Sequence, residues 1–152
     1  MKNLVLVVIA AVCFAACQNA DQQSNGNNLT AEQRRNALND SANFTTIEWI
    51  DSTFRDEGKV NEGEKVEVSY KFKNTGNHNL ILSDVQPSCG CTTPEWPKQP
   101  IEPGKEGIIK AIFDSDHRAG ENMKQITVLA NTKPLNTMML SFKVTVTPKQ
   151  QK

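Results

Sequence analysis

The sequence predicts an all-β domain, an immunoglobulin-like antiparallel β-sandwich of about seven strands, preceded by a signal peptide and a flexible tether. Three observations carry that expectation. From Phe44 onwards, apolar residues recur at every second position in short runs, the period of a half-buried strand. Clusters of Gly, Pro, Asn and Asp punctuate those runs, as turns between strands require. No long amphipathic helix interrupts the series.

Residues 1–16 read as a lipoprotein signal peptide. Lys2 gives a positive start, and LVLVVIAAVCFAAC, residues 4–17, carries neither charge nor amide. Such a run is short of the about 20 residues that span a bilayer, and it suits the apolar core of a secretory signal. No A-x-A triplet marks an ordinary cleavage site. Instead Phe14-Ala15-Ala16-Cys17 resembles a bacterial lipobox, with Phe14 where Leu is usual. The resemblance implies that Cys17 is lipidated and becomes the mature N-terminus, while Cys13 is discarded. Gln18, rather than Asp, after the lipidated position implies sorting to the outer membrane. Two or three acyl chains give lasting attachment, where one chain binds only marginally.

Residues 17–43 then read as the lipidated tether. Their Gln, Asn and Ser content leaves too little apolar surface to offset ordering entropy. As coil they would hold the domain roughly 28 Å from the lipid, at about 5.5 Å times the square root of length. Within them Thr30-Ala31-Glu32-Gln33 has the form of a capping box for a short helix reaching Leu38. Alone, such a helix is marginal.

Residues 44–148 form the expected domain, with a short tail over 149–152. Residues 46–50 and 52–54 read as short edge pieces. Val66, Val68, Tyr70 and Phe72 alternate with polar residues, giving one buried and one wet face. Asn74-Thr75-Gly76-Asn77 turns the chain, and residues 80–85 form the next strand, ended by Pro87. Residues 92–103 hold four prolines and read as a loop, closed by a type II turn at Pro103-Gly104. Residues 108–113 are apolar on both faces except for Lys110 and so read as a central strand. After a loop over 116–120, residues 124–130 and 138–146 complete the set, with Met138, Leu140, Phe142, Val144 and Val146 on one face.

Composition narrows the function. Seventeen basic residues balance seventeen acidic ones, which leaves no footprint for nucleic acid. The folded part has only two of the four cysteines, so it is not a disulfide-stapled module.

Several local signals fall in order along the domain. They are Phe54-x-x-x-Gly58-x-Val60-x-x-Gly63-Glu64, then Phe72-x-Asn74-Thr75-Gly76-Asn77, then Ser88-Cys89-Gly90-Cys91-Thr92. Pro94-x-Trp96, Pro100-Ile101-x-Pro103-Gly104, Gly120-x-x-x-Lys124-x-Ile126 and Asn131 follow. The series resembles the bacterial domain-of-unknown-function 1573 family, frequent among Bacteroidetes lipoproteins and similar in fold to the ASPM/Hydin immunoglobulin-like domains. The resemblance implies the sandwich and an envelope location, and it implies no activity.

Candidate sites are few. Cys89-Gly90-Cys91 leaves three states open, and against a fourth reading, redox catalysis, no Lys, Arg or His lies within five residues to make the thiols reactive. In an extended strand their Cα atoms would lie roughly 6.5 Å apart, near the upper limit for a disulfide, and Gly90 can bend the chain to shorten that distance. A bond strained by so short a span would be open to reduction. Two thiolates also suit a soft metal, but His78 and His117 stand in no ligand spacing with them. The third state is a pair of small buried side chains. Trp96, in the proline-rich loop, reads either as a binding anchor or as a ring folded over the open end of the core. His117 and His78 read as solvated turn residues, since no nucleophile stands in a motif with either. Asp40-Ser41-Ala42 and Asp51-Ser52-Thr53 resemble Bacteroidetes O-glycan acceptor sites, at Ser41 and Ser52.

These readings favour a non-enzymatic interaction domain, anchored by lipid in the cell envelope and facing the periplasm or the surface. Its partner would be a protein or glycan, and no cofactor is implied. A metal or thiol-redox accessory protein using Cys89 and Cys91 is the alternative, followed by a structural subunit that assembles by strand exchange.

Overall fold

The computed structural model describes residues 28–149. Cys17, the lipobox and the apolar run before it lie outside the described residues.

Helix α1 (Ala31–Asn36) opens the described chain. The Thr30 hydroxyl accepts from Gln33 N at 3.2 Å, and the Gln33 side chain accepts from Thr30 N at 2.8 Å. This is the capping box expected from sequence. A 3-10 turn follows (Ser41–Asn43). Eight strands come next: β1 (Ile47–Trp49), β2 (Phe54–Asn61), β3 (Lys65–Asn74), β4 (Leu82–Pro87), β5 (Thr92–Glu95), β6 (Glu106–Asp114), β7 (Gly120–Ala130) and β8 (Thr137–Thr147). They build two four-stranded sheets, ordered β1-β3-β6-β5 and β2-β8-β7-β4.

The alternating residues of β3, β6, β7 and β8 face inward and meet between the sheets. Tyr70, Phe72, Phe113, Phe142, Ile109 and Ile126 are among the largest side chains fully withdrawn from solvent. Phe113 on β6 and Phe142 on β8 pack edge to face at 5.8 Å, the offset that aromatic quadrupoles favour. The Tyr70 hydroxyl crosses between the sheets to donate to the Ser141 carbonyl at 2.9 Å.

Five expectations are corrected. There are eight strands rather than about seven. The pairing is not antiparallel throughout, because β2 runs parallel to β8. β2 extends well beyond the short piece expected over 52–54. Its alternation is hidden because it is an edge strand whose Phe54 is exposed and whose register slips between Asp56 and Lys59. There Gly58 takes φ +71°, and its N–H donates to Asp56 Oδ1 at 3.0 Å, a bulge that only glycine enters cheaply. β5 occupies the first part of the expected 92–103 loop. Pro94 is tolerated there because β5 is an edge strand. Finally, β6 is central but buried on one face only, with Ile108 on the exposed side.

Two buried asparagines fasten the loops at one end. Asn74 Nδ2 donates to the carbonyls of His78 and Ile101, both at 2.8 Å. Its Oδ1 accepts from Thr45 Oγ1 at 2.8 Å and from Gly76 N at 3.1 Å. Asn131 Oδ1 accepts from Ile81 N at 2.7 Å, and its Nδ2 donates to Asn43 O and Asn79 O. At the other end, the buried Ser115 hydroxyl donates to Glu64 O at 2.6 Å and accepts from Gly63 N at 3.0 Å. Each side chain thus replaces a backbone partner that the loops lack.

Candidate functional site

The chain changes sheets twice in ways that close the flanks of the sandwich. β1 and β2 border one flank, and β4 and β5 border the other. The sharpest sequence features gather along the β4–β5 flank.

Residues 88–91 make the crossing from β4 to β5. Cys89 and Cys91 are joined in a disulfide, with Cα atoms 5.3 Å apart. Cys91 is buried against the core, Cys89 is half-buried, and Gly90 between them is exposed. The crossing is held by backbone bonds as well. Ser88 N donates to Gln125 O at 2.8 Å, Thr92 N to Cys89 O at 3.3 Å, and Asp114 N to Cys91 O at 2.9 Å. Gln125 N donates to the Ser88 hydroxyl at 3.1 Å. The Thr92 hydroxyl lies 3.8 Å from Cys89 Sγ and 3.9 Å from Cys91 Sγ. Thr92 faces Phe113 across the β5–β6 pair, and the Lys124 ammonium sits 5.7 Å from the centre of that ring.

At the far end of β5, Trp96 is half-buried and packs on the core. The Lys98 ammonium lies over its ring, a cation–π arrangement. Helix α1 rests against β4, and Leu29 N donates to Lys98 O at 3.3 Å. The Arg34 guanidinium donates to the Leu29 carbonyl. Burial holds the Lys98 ammonium below its ordinary value; Arg34 adds to that and Asp84 opposes it. Arg34 Nε, Ser83 Oγ and Trp96 Nε1 are buried without a hydrogen-bond partner among the described residues. Beyond Trp96 the flank opens into a shallow groove of about 570 Å³, lined by Asn79, Pro97, Pro100, Ile101, Glu102 and Lys105 among others.

The remaining sequence candidates lie elsewhere. His117 is exposed at φ +56°, with Nδ1 2.8 Å from Asp116 Oδ2. His78 is exposed and engages Asn74 only through its carbonyl. Ser41 and Ser52 are both exposed, and the Ser52 hydroxyl accepts from Phe54 N at 3.2 Å. Among the described residues, no group of three or more His, Cys, Asp and Glu converges as metal ligands do. Sequence reasoning gave no role to Lys98 or Arg34. Their place at the flank depends on contacts distant in sequence, which no local motif signals.

This architecture defines an immunoglobulin-like β-sandwich. The chain belongs to the family described as "Protein of unknown function (DUF1573)", which matches residues 47–146. A protein of unknown function from Porphyromonas gingivalis W83 is similar in structure, with a TM-score of 0.61 at 19% identity over 69% of this chain and 48% of that one. This chain therefore spans about half the length of that protein. The PapD-like domain 7 of human CEP192 is also similar, with a TM-score of 0.53 at 12% identity over 72% of this chain and 89% of that one. At such identities the likeness is one of fold. No curated protein matches the chain.

Proposed function

We propose that this chain is a lipid-anchored protein of the bacterial cell envelope whose sandwich serves as a non-catalytic interaction domain. The observation that carries the interaction reading is the β4–β5 flank. There the proline-rich segment that follows the core-packed Trp96 lines an open groove through Pro97, Gln99 and Pro100. Rigid, proline-braced loops on a stable scaffold are where binding surfaces concentrate. Export and anchoring rest on the apolar run over residues 4–17 and on the lipobox-like Phe14-Ala15-Ala16-Cys17. The exposed Ser41 and Ser52 would carry O-glycans in that compartment.

Two measurements on the same cells test the reading. A clickable palmitate should label the wild-type protein and fail to label Cys17→Ser. A photo-cross-linker at Gln99, in the groove, should trap a discrete adduct that the same group at Glu121 does not. Absent acylation sinks the anchor. Equal trapping at both positions sinks the groove as a binding surface.

A further inference from the structure

We propose that the Cys89–Cys91 bond is a thiol–disulfide exchange site, opened by a dithiol partner while the domain stays folded. The inference stands apart from the interaction reading, since it needs neither the groove nor the lipid.

A disulfide that spans one residue removes far less entropy from the unfolded chain than one closing a long loop. The fold does not depend on it for position either. Four hydrogen bonds, from Ser88 N, Thr92 N, Asp114 N and Gln125 N, hold the crossing without using a sulfur atom. Reduction would leave both thiols where they are, ready to close again.

The two sulfurs differ in access. Cys91 is buried, while Cys89 is half-buried. Gly90 is exposed, and apart from its two chain neighbours no residue comes within 4 Å of the place where its Cβ would be. An incoming thiolate therefore meets Cys89 first. Exchange also needs a group to steady the departing sulfur. The Thr92 hydroxyl stands within 3.9 Å of both sulfurs, and Lys124 gives this end of the sandwich a cation.

The chemistry balances with a dithiol as the only co-reactant. Its thiolate attacks Cys89 Sγ, the Cys89–Cys91 bond breaks, and the electron pair leaves on Cys91 Sγ, which takes a proton from water. The partner's second thiolate then attacks the partner's own sulfur in the mixed disulfide and releases Cys89 as a thiolate. Cys89 then takes a proton from water as Cys91 did, and these two protons replace the two that the dithiol lost to solvent. Two electrons pass to the protein, and the dithiol becomes a disulfide. The reverse sequence re-forms the bond.

The test uses the full-length protein in detergent, with dithiothreitol as the dithiol. After treatment without denaturant, alkylation and peptide mapping should find labels on both Cys89 and Cys91. Circular dichroism and the melting temperature should stay close to those of the oxidised protein. Oxidised dithiothreitol should restore the bond. In the single variants, Cys89 in C91S should form a mixed disulfide with an aromatic disulfide reagent about tenfold faster than Cys91 in C89S, as the accessible thiol of a pair does. A bond that opens only in denaturant overturns the proposal, and so does a fold that collapses on reduction. Equal or inverted rates in the two variants overturn Cys89 as the point of attack.

Discussion

The Tyr70 hydroxyl reaches from β3 across the sandwich and donates to the Ser141 carbonyl on β8 at 2.9 Å. The ring is fully buried, so one side chain contributes both core volume and a polar link between the sheets. Burial pushes the hydroxyl well above its ordinary value of 10.0; Glu57 adds to this and Arg55 opposes it.

Removing only the hydroxyl isolates the polar link. Tyr70→Phe should cost about 1 kcal/mol, the usual net worth of an internal hydrogen bond, read from urea unfolding with an unchanged m-value. A loss near zero would mean that the Ser141 carbonyl finds another donor.

The same group predicts an alkaline limit. Tyr70 stays protonated in the folded state at pH values where the unfolded chain ionises. Its contribution is therefore complete below pH 10.0 and falls as pH rises above that value. Tyr70 is the only tyrosine in the sequence, so tyrosinate absorbance reports this one site. It should appear together with unfolding rather than before it. Tyr70→Phe should flatten the alkaline loss.

Asn74 should be among the least replaceable polar residues. Asn74→Leu leaves the His78 carbonyl and the Thr45 and Gly76 donors unpaired, and leaves the Ile101 carbonyl with only its bond from Leu80 N. Stranded buried groups cost more than a hydrogen bond is worth, so a loss of about 2–4 kcal/mol is expected. Asn74→Asp should also be severe, because it sets a carboxylate oxygen against two carbonyls. Chemical denaturation of the two variants beside wild type checks the order.

Two glycines separate space from flexibility. A Cβ on Gly107 would press into the Phe72 ring and lie 3.1 Å from Ile101 Cδ1, so Gly107→Ala should cost about 1–3 kcal/mol by overpacking. Gly90 faces open space, and Gly90→Ala should fall within about 0.5 kcal/mol of wild type. Melting temperatures measured side by side decide it.

Much of the fold was legible where burial is one-sided. The period-two runs of β3 and β8 name their own inward faces, and Pro103-Gly104 marks its turn, with Gly104 at φ +77°. β2 and β5 were not legible as strands. One carries a bulge and an exposed Phe54, the other a proline, so neither shows the alternation that burial imposes. The Asn74-Thr75-Gly76-Asn77 signal was visible as a turn. That Asn74 braces residues 27 and 29 positions away is a property of the folded chain alone. The candidate site divides in the same manner. Cys89 and Cys91 announce themselves by spacing, whereas the packing of α1 on β4 and the bond from Leu29 N to Lys98 O join segments distant in sequence.

The parallel pairing of β2 with β8 has a mechanical consequence. Because the two strands point the same way, a pull on the leading end of β2 and the trailing end of β8 draws them past one another along their length. Every rung between Phe54 and Thr147 is then loaded together, where a pair opened from one end would yield a rung at a time. A force applied ahead of β2 and beyond β8 would therefore meet the domain in shear.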